Sequence, residues 1–152
     1  MKTKAIKIIE SKGVTPRIIR LSNKGVSSND VIKYAIDPLD PFEVCKTIII
    51  KDKLGVFYGL LLKGGDKIDF VKVKDVIGQR AAMASHEEVL SLTGVEPGAI
   101  CPVTLDMPIY IDEKVFGLER INFGSSDHAF GIEVLTDDLE KILAYVKVGI
   151  SQ

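Results

Sequence analysis

The chain has 152 residues, 46 % of them apolar, and a formal net charge of −1. That is enough apolar material for one domain with its own core, and too much for a disordered polyelectrolyte. The apolar runs Ile48-Ile49-Ile50 and Leu60-Leu61-Leu62 each end at a lysine, so neither is long enough to span a membrane. Lys2 and Lys4 at the start are not followed by the apolar core of a signal peptide. We therefore expect a single cytoplasmic domain over residues 1–152.

The small net charge hides an asymmetry. Residues 1–36 carry a balance of +6, residues 37–83 of +1 and residues 84–152 of −8. A basic third of this kind offers a polyanion somewhere to dock. A solvated helix face is the commoner explanation of such a run.

In chain order, Ala5, Ile6, Ile8 and Ile9 among lysines predict an amphipathic helix over 2–12 that stops at Gly13. Residues 17–21 read as a short strand. Ser27 and Asp30 form an approximate capping box for a helix through Val31, Ile32, Ala35 and Ile36, ended by Pro38 and Pro41. Two β-rich runs, 44–52 and 56–63, flank a hairpin turn at Asp52-Lys53-Leu54-Gly55. Residues 68–73 fit either a strand or a short helix leading into Val76 and Ile77. Ser85 and Glu88 box a helix through Val89, Leu90 and Leu92 that stops at Gly94. Strands follow at 108–111, 118–123 and 130–135. Thr136 is expected to cap a last helix that turns Leu139, Ile142, Leu143 and Val146 to a core. The fold class is α+β with an antiparallel or mixed sheet.

Three places carry polar groups of chemical interest. Lys46 shares a strand face with Val44, Ile48 and Ile50, and an ammonium on an apolar face is either held in a cleft or snorkelling from a strand end. The stretch Gly94 to Pro102 has glycines that let backbone approach a ligand, though an ordinary turn has the same composition. The loop Gly124-Ser125-Ser126-Asp127-His128 places an imidazole near hydroxyls and a carboxylate, and its composition equally suits a plain hairpin loop. Cys45 points to the other face from Lys46 and reads as a small core residue, and His86 reads as an ordinary first-turn residue. No Walker loop, G-x-S-x-G elbow, H-E-x-x-H pair or cysteine pair occurs, which argues against a metal site.

Val44-Cys45-Lys46-Thr47-Ile48-Ile49-Ile50, the stretch Gly94 to Pro102, and Phe123 to His128 running into Gly131-Ile132-Glu133-Val134 together resemble the YbaK/prolyl-tRNA-synthetase-associated domain family. The resemblance covers almost the whole chain. It implies a mixed, barrel-like sheet surrounded by helices. It also implies hydrolysis of mischarged aminoacyl-tRNA, often tRNA(Pro) carrying alanine or cysteine, without a cofactor. The family's functional lysine falls on Lys46 and its substrate-lining turn on Gly98, Ala99 and Ile100. Its variable loop falls on Ser125, Ser126, Asp127 and His128, so no subfamily's amino-acid specificity carries over. Under this reading tRNA is the partner, with a synthetase as a second, and the phosphate contacts fall on Lys2, Lys4, Lys7, Arg17, Arg20 and Lys24. The competing readings are a module that binds the aminoacyl end or a synthetase without turnover, and a small α+β domain with no nucleic-acid role.

Overall fold

The computed structural model describes residues 3–152, so Lys2 lies outside the described residues. Thr3 caps α1 (Lys4–Ser11) by accepting the Ile6 N–H, and helical spacing buries Ala5, Ile6 and Ile9 on one stripe. After β1 (Arg17–Arg20), Ser27 caps α2 (Ser28–Tyr34) by accepting the Asp30 N–H. The Asp30 carboxylate reaches back to the Val26 N–H, one residue further than a true capping box.

β2 (Cys45–Asp52) and β3 (Phe57–Lys63) form the expected hairpin. The buried Asp52 carboxylate holds its turn by accepting the Leu54 and Val56 N–H groups and the Tyr58 hydroxyl. Asp69 settles the ambiguous stretch as a helix, because its carboxylate caps α3 (Phe70–Ile77) at the Val71 and Lys72 N–H groups. β4 (Ala81–Met83) leads into α4 (His86–Thr93), where the capping box of Ser85 and Glu88 is complete. β5 (Ile109–Asp112), β6 (Arg120–Gly124) and β7 (Phe130–Leu135) follow.

The last expected helix needs correction. Thr136 makes no capping hydrogen bond, and a short 3-10 turn precedes α5 (Leu139–Ile142). The chain then leaves the helix, and Val146 belongs to β8 (Val146–Val148), which pairs with β5. The apolar spacing that reads as helical from Leu139 to Val146 is shared between a helix and a strand.

Among the described residues the strands form two sheets, ordered β1–β7–β6 and β4–β2–β3–β5–β8. The first is antiparallel; the second is mixed, with β5 parallel to both β3 and β8. They meet at one parallel bridge between Val44 and Asn122. The architecture is thus α+β and mixed as expected, but it is two joined open sheets rather than one closed barrel.

The middle of β2, Ile48 to Ile50, is apolar on both faces because both are covered. Ile50 packs with Val73 of α3, and Ile49 with Val89 of α4. The largest core lies under α1, where Ile6 and Ile9 meet Ile111, Ile121, Ile132 and Leu139. Each such side chain contributes about 2 kcal/mol by leaving water. No helix of the described residues is long and apolar enough to cross a membrane.

Candidate active site

Along one edge, β2 runs beside β3 throughout. Along the other, it touches β6 at Val44 and β4 only from Ile50 onward. Between these contacts the edge from Cys45 to Ile48 lacks a partner strand; the Ile49 carbonyl accepts the Ala84 N–H at 3.0 Å. A cavity of about 610 Å³ fills the gap. Its walls are the start of α2, the Gly98 turn, the first turn of α4 and the end of β6. Among the described residues none of those lining it is a carboxylate.

Lys46 lines this cavity and is half-buried. Burial pushes its ammonium below the ordinary lysine range; the charge of Asp66 works against this, and Lys67 adds to it. Among the described residues its ammonium makes no direct hydrogen bond or ion pair. The arrangement is a desolvated cation with free donors beside a cavity. Cys45 is a poor nucleophile by comparison, since burial pushes its thiol up to about 12.

The Gly98 turn closes on α2 by backbone contact. Gly98 has φ +98°, and a β-carbon there would overlap the Val26 carbonyl. Gly124 makes a similar approach possible on the other side, where a β-carbon would stand 2.5 Å from the Ile100 carbonyl oxygen. Gly98 and Ile100 line the cavity with Lys46. Ala99 sits behind them, buried, with its carbonyl accepting the Ser126 N–H at 2.7 Å.

The loop after β6 is placed differently from the expectation. Gly124 lines the cavity, but Ser125, Ser126, Asp127 and His128 do not. The Ser125 hydroxyl is buried and donates to the Phe130 carbonyl at 2.6 Å. Ser126 takes the left-handed conformation of a tight turn, φ +74°. The Asp127 carboxylate accepts the Ala129 N–H at 2.8 Å. His128 Nδ1 bonds the Gly25 carbonyl, and its Nε2 lies 3.7 Å from Glu96. The imidazole is therefore bonded to the segment before α2 and lies beside the segment before Gly98, which form opposite walls. Turn satisfaction claims the polar groups that sequence alone offered to a substrate.

Part of the basic third is engaged in ion pairs. Arg17 pairs with Glu133 at 3.0 Å, Arg20 with Asp37 at 2.9 Å and Lys24 with Glu96 at 3.3 Å. Lys4 and Lys7 lie exposed on α1. Glu133 and Glu96 of the later chain fold back onto Arg17 and Lys24, which a count along the sequence does not reveal.

Three lining residues escape a motif reading. His86 opens α4 at the exposed rim, near Met83, which is 61 % exposed. Thr47 and Asn122 line the cavity, and the Thr47 hydroxyl and both amide atoms of Asn122 are buried without a hydrogen-bond partner. The only sequence signal for Asn122 is a polar residue between the apolar Ile121 and Phe123. Among the described residues no cluster of His, Cys, Asp and Glu is arranged to hold a metal ion.

Residues 27–142, about three quarters of the chain, match the family of the aminoacyl-tRNA editing domain, and the chain belongs to that family. It is 35 % identical over 85 residues to the proline–tRNA ligase of Shouchella clausii, a match covering 55 % of this chain and 14 % of the ligase. Against the proline–tRNA ligase of Bacillus pumilus the identity is 33 % over 92 residues, covering 59 % of this chain and 16 % of the ligase. The chain thus matches only a small part of these relatives' length. Its fold is that of a solved hypothetical protein, with a TM-score of 0.89 at 20 % identity over 99 % of this chain and 100 % of that one. A protein provisionally described as a trans-editing enzyme for prolyl tRNA synthetase has the same fold, with a TM-score of 0.79 at 16 % identity over 100 % of this chain and 99 % of that one.

Proposed function

We propose that this chain hydrolyses, in trans, the ester that joins a wrong amino acid to tRNA. The observation that carries the reading is the unpaired, half-buried Lys46 ammonium on the wall of a cavity that also contains the Gly98 turn. Family membership and the likeness to part of two proline–tRNA ligases support it and favour tRNA(Pro) carrying alanine, cysteine or a similar small amino acid.

An aminoacyl ester is already activated, so the chemistry needs no strong protein nucleophile. Water adds to the carbonyl carbon, passing one proton to the departing ribose oxygen and the other to solvent. Negative charge gathers on the carbonyl oxygen, where Lys46 and backbone N–H groups near Gly98 stabilise it. The carbon–oxygen bond to the ribose then breaks. The ribose oxygen leaves with a proton and the amino acid leaves as its carboxylate. Exposed cations such as Lys4 and Lys7 add contacts to the tRNA backbone.

The test is a panel of mischarged tRNAs, each incubated with the pure protein. Release of a small amino acid from tRNA(Pro), with correctly charged tRNA left intact, is the expected result. Tight tRNA binding without release from any member would support the binding-module reading and exclude the hydrolase.

A further inference from the structure

Asn122 is 2 % exposed and lines the cavity, yet neither amide atom has a hydrogen-bond partner among the described residues. Leaving a buried amide unmet costs stability, and the neighbours of Asn122 offer no relief. Across the β6–β7 pair it faces Glu133, whose carboxylate turns to Arg17 at 3.0 Å and makes no hydrogen bond to Asn122. Ile121 and Phe123 belong to the main core, so alternation turns the Asn122 side chain to the opposite face; Asn122, Phe123 and Gly124 all line the cavity at this end of β6.

Its relation to Lys46 follows from the junction of the sheets. In the parallel Val44–Asn122 bridge the two side chains stand side by side on one face. Lys46 is two residues beyond Val44, so it projects to that same side, about 7 Å along the strand. A cation and an amide donor thus flank one region of a cavity whose described lining has no carboxylate. Such a set favours an oxygen that gains negative charge.

We infer that Asn122 is a further catalytic residue, whose amide N–H donates to the carbonyl oxygen of the ester as negative charge develops there. The assignment rests on the deacylase reading and adds a donor beside Lys46 and the Gly98 turn. It explains why an unmet amide is kept between two core residues: the partner it lacks is the substrate.

The test is Asn122→Leu, with Asn122→Ala as a second variant should the leucine not fold. Three quantities are measured on the mischarged tRNA that the wild type hydrolyses: kcat, KM and the thermal midpoint. Leucine removes two unmet polar atoms, so the midpoint should stay level or rise. Over the same comparison kcat should fall roughly 100-fold, with KM within about threefold. A purely structural amide, met by a trapped water, predicts the opposite: a lower midpoint and an unchanged kcat per folded molecule. A variant within about threefold of wild type in kcat overturns the assignment alone. A wild type inactive on every mischarged tRNA overturns the deacylase reading and this assignment together.

Discussion

Gly98 packs directly against the backbone carbonyl of Val26, with no room between them for a β-carbon. This contact fixes the width of the cavity, since Gly98 and Val26 belong to different walls. Gly13 shares the left-handed backbone, φ +81°, but has open space around it. Gly98→Ala should cost on the order of 3 kcal/mol and lower kcat/KM at least 100-fold, because α2 must move. Gly13→Ala should cost about 1 kcal/mol and leave activity unchanged. Urea unfolding and deacylation rates on both variants would separate backbone strain from wall displacement.

His128 should behave as a positioning residue. Its imidazole binds the Gly25 carbonyl and approaches Glu96, so its loss loosens two walls without removing a group from the cavity. We expect His128→Ala to lower kcat/KM about tenfold, well short of the loss at Lys46, with most of the effect in KM. Steady-state kinetics check this directly, and a complete loss of kcat in a folded variant would restore the imidazole to the chemistry.

Asp112 offers a stability prediction apart from the site. The carboxylate is fully buried and accepts the Ile150 N–H at 2.9 Å, the Ser151 N–H at 3.1 Å and the Ser151 hydroxyl at 3.0 Å. Asp112→Ala strands these donors and should cost on the order of 3 kcal/mol. Deacylation per folded molecule should not change, because Asp112 is not part of the cavity wall. Chemical denaturation combined with an active-fraction assay tests both halves.

The Arg20–Asp37 pair gives the fold an acid-sensitive element. Hydrogen bonds from Arg20 hold the Asp37 carboxyl at about 2, against an ordinary 3.8. A lowered carboxylate stabilises the fold above its unfolded value and loses that contribution as pH falls towards its folded value. The window is therefore about pH 4 down to pH 2. Asp37→Asn should be less stable than wild type above pH 4, and the gap between the two should narrow as pH falls to 2. Thermal midpoints measured across that range would show it; a gap constant with pH would contradict it.

Local chemistry made much of the fold legible. Ser85 with Glu88, and Gly94 at φ +70°, mark the ends of α4 by contacts within a few residues. β8 was hidden because Val146 falls on the helical spacing of Leu139 and Ile142, and only pairing with Tyr110 in β5 makes it a strand. The site divides the same way. Lys46 and Gly98 announce themselves by an ammonium in an apolar strand and by a glycine in a turn. The loop from Ser125 to His128 misleads, since residues that satisfy a turn are also residues that bind substrates. Asn122 carries only a weak local signal, a polar residue between Ile121 and Phe123; its place beside the cavity comes from a bridge to Val44, 78 positions earlier in the chain.

The claim on which the account turns is that a desolvated ammonium beside the Gly98 turn stabilises the reacting ester. Single-turnover deacylation of a mischarged tRNA by wild type and Lys46→Ala, with thermal midpoints alongside, tests it most directly. The variant should fold with an equal or higher midpoint, because it no longer buries a cation, and should lose at least 100-fold in rate. A folded Lys46→Ala protein that releases the amino acid as fast as wild type would contradict the account.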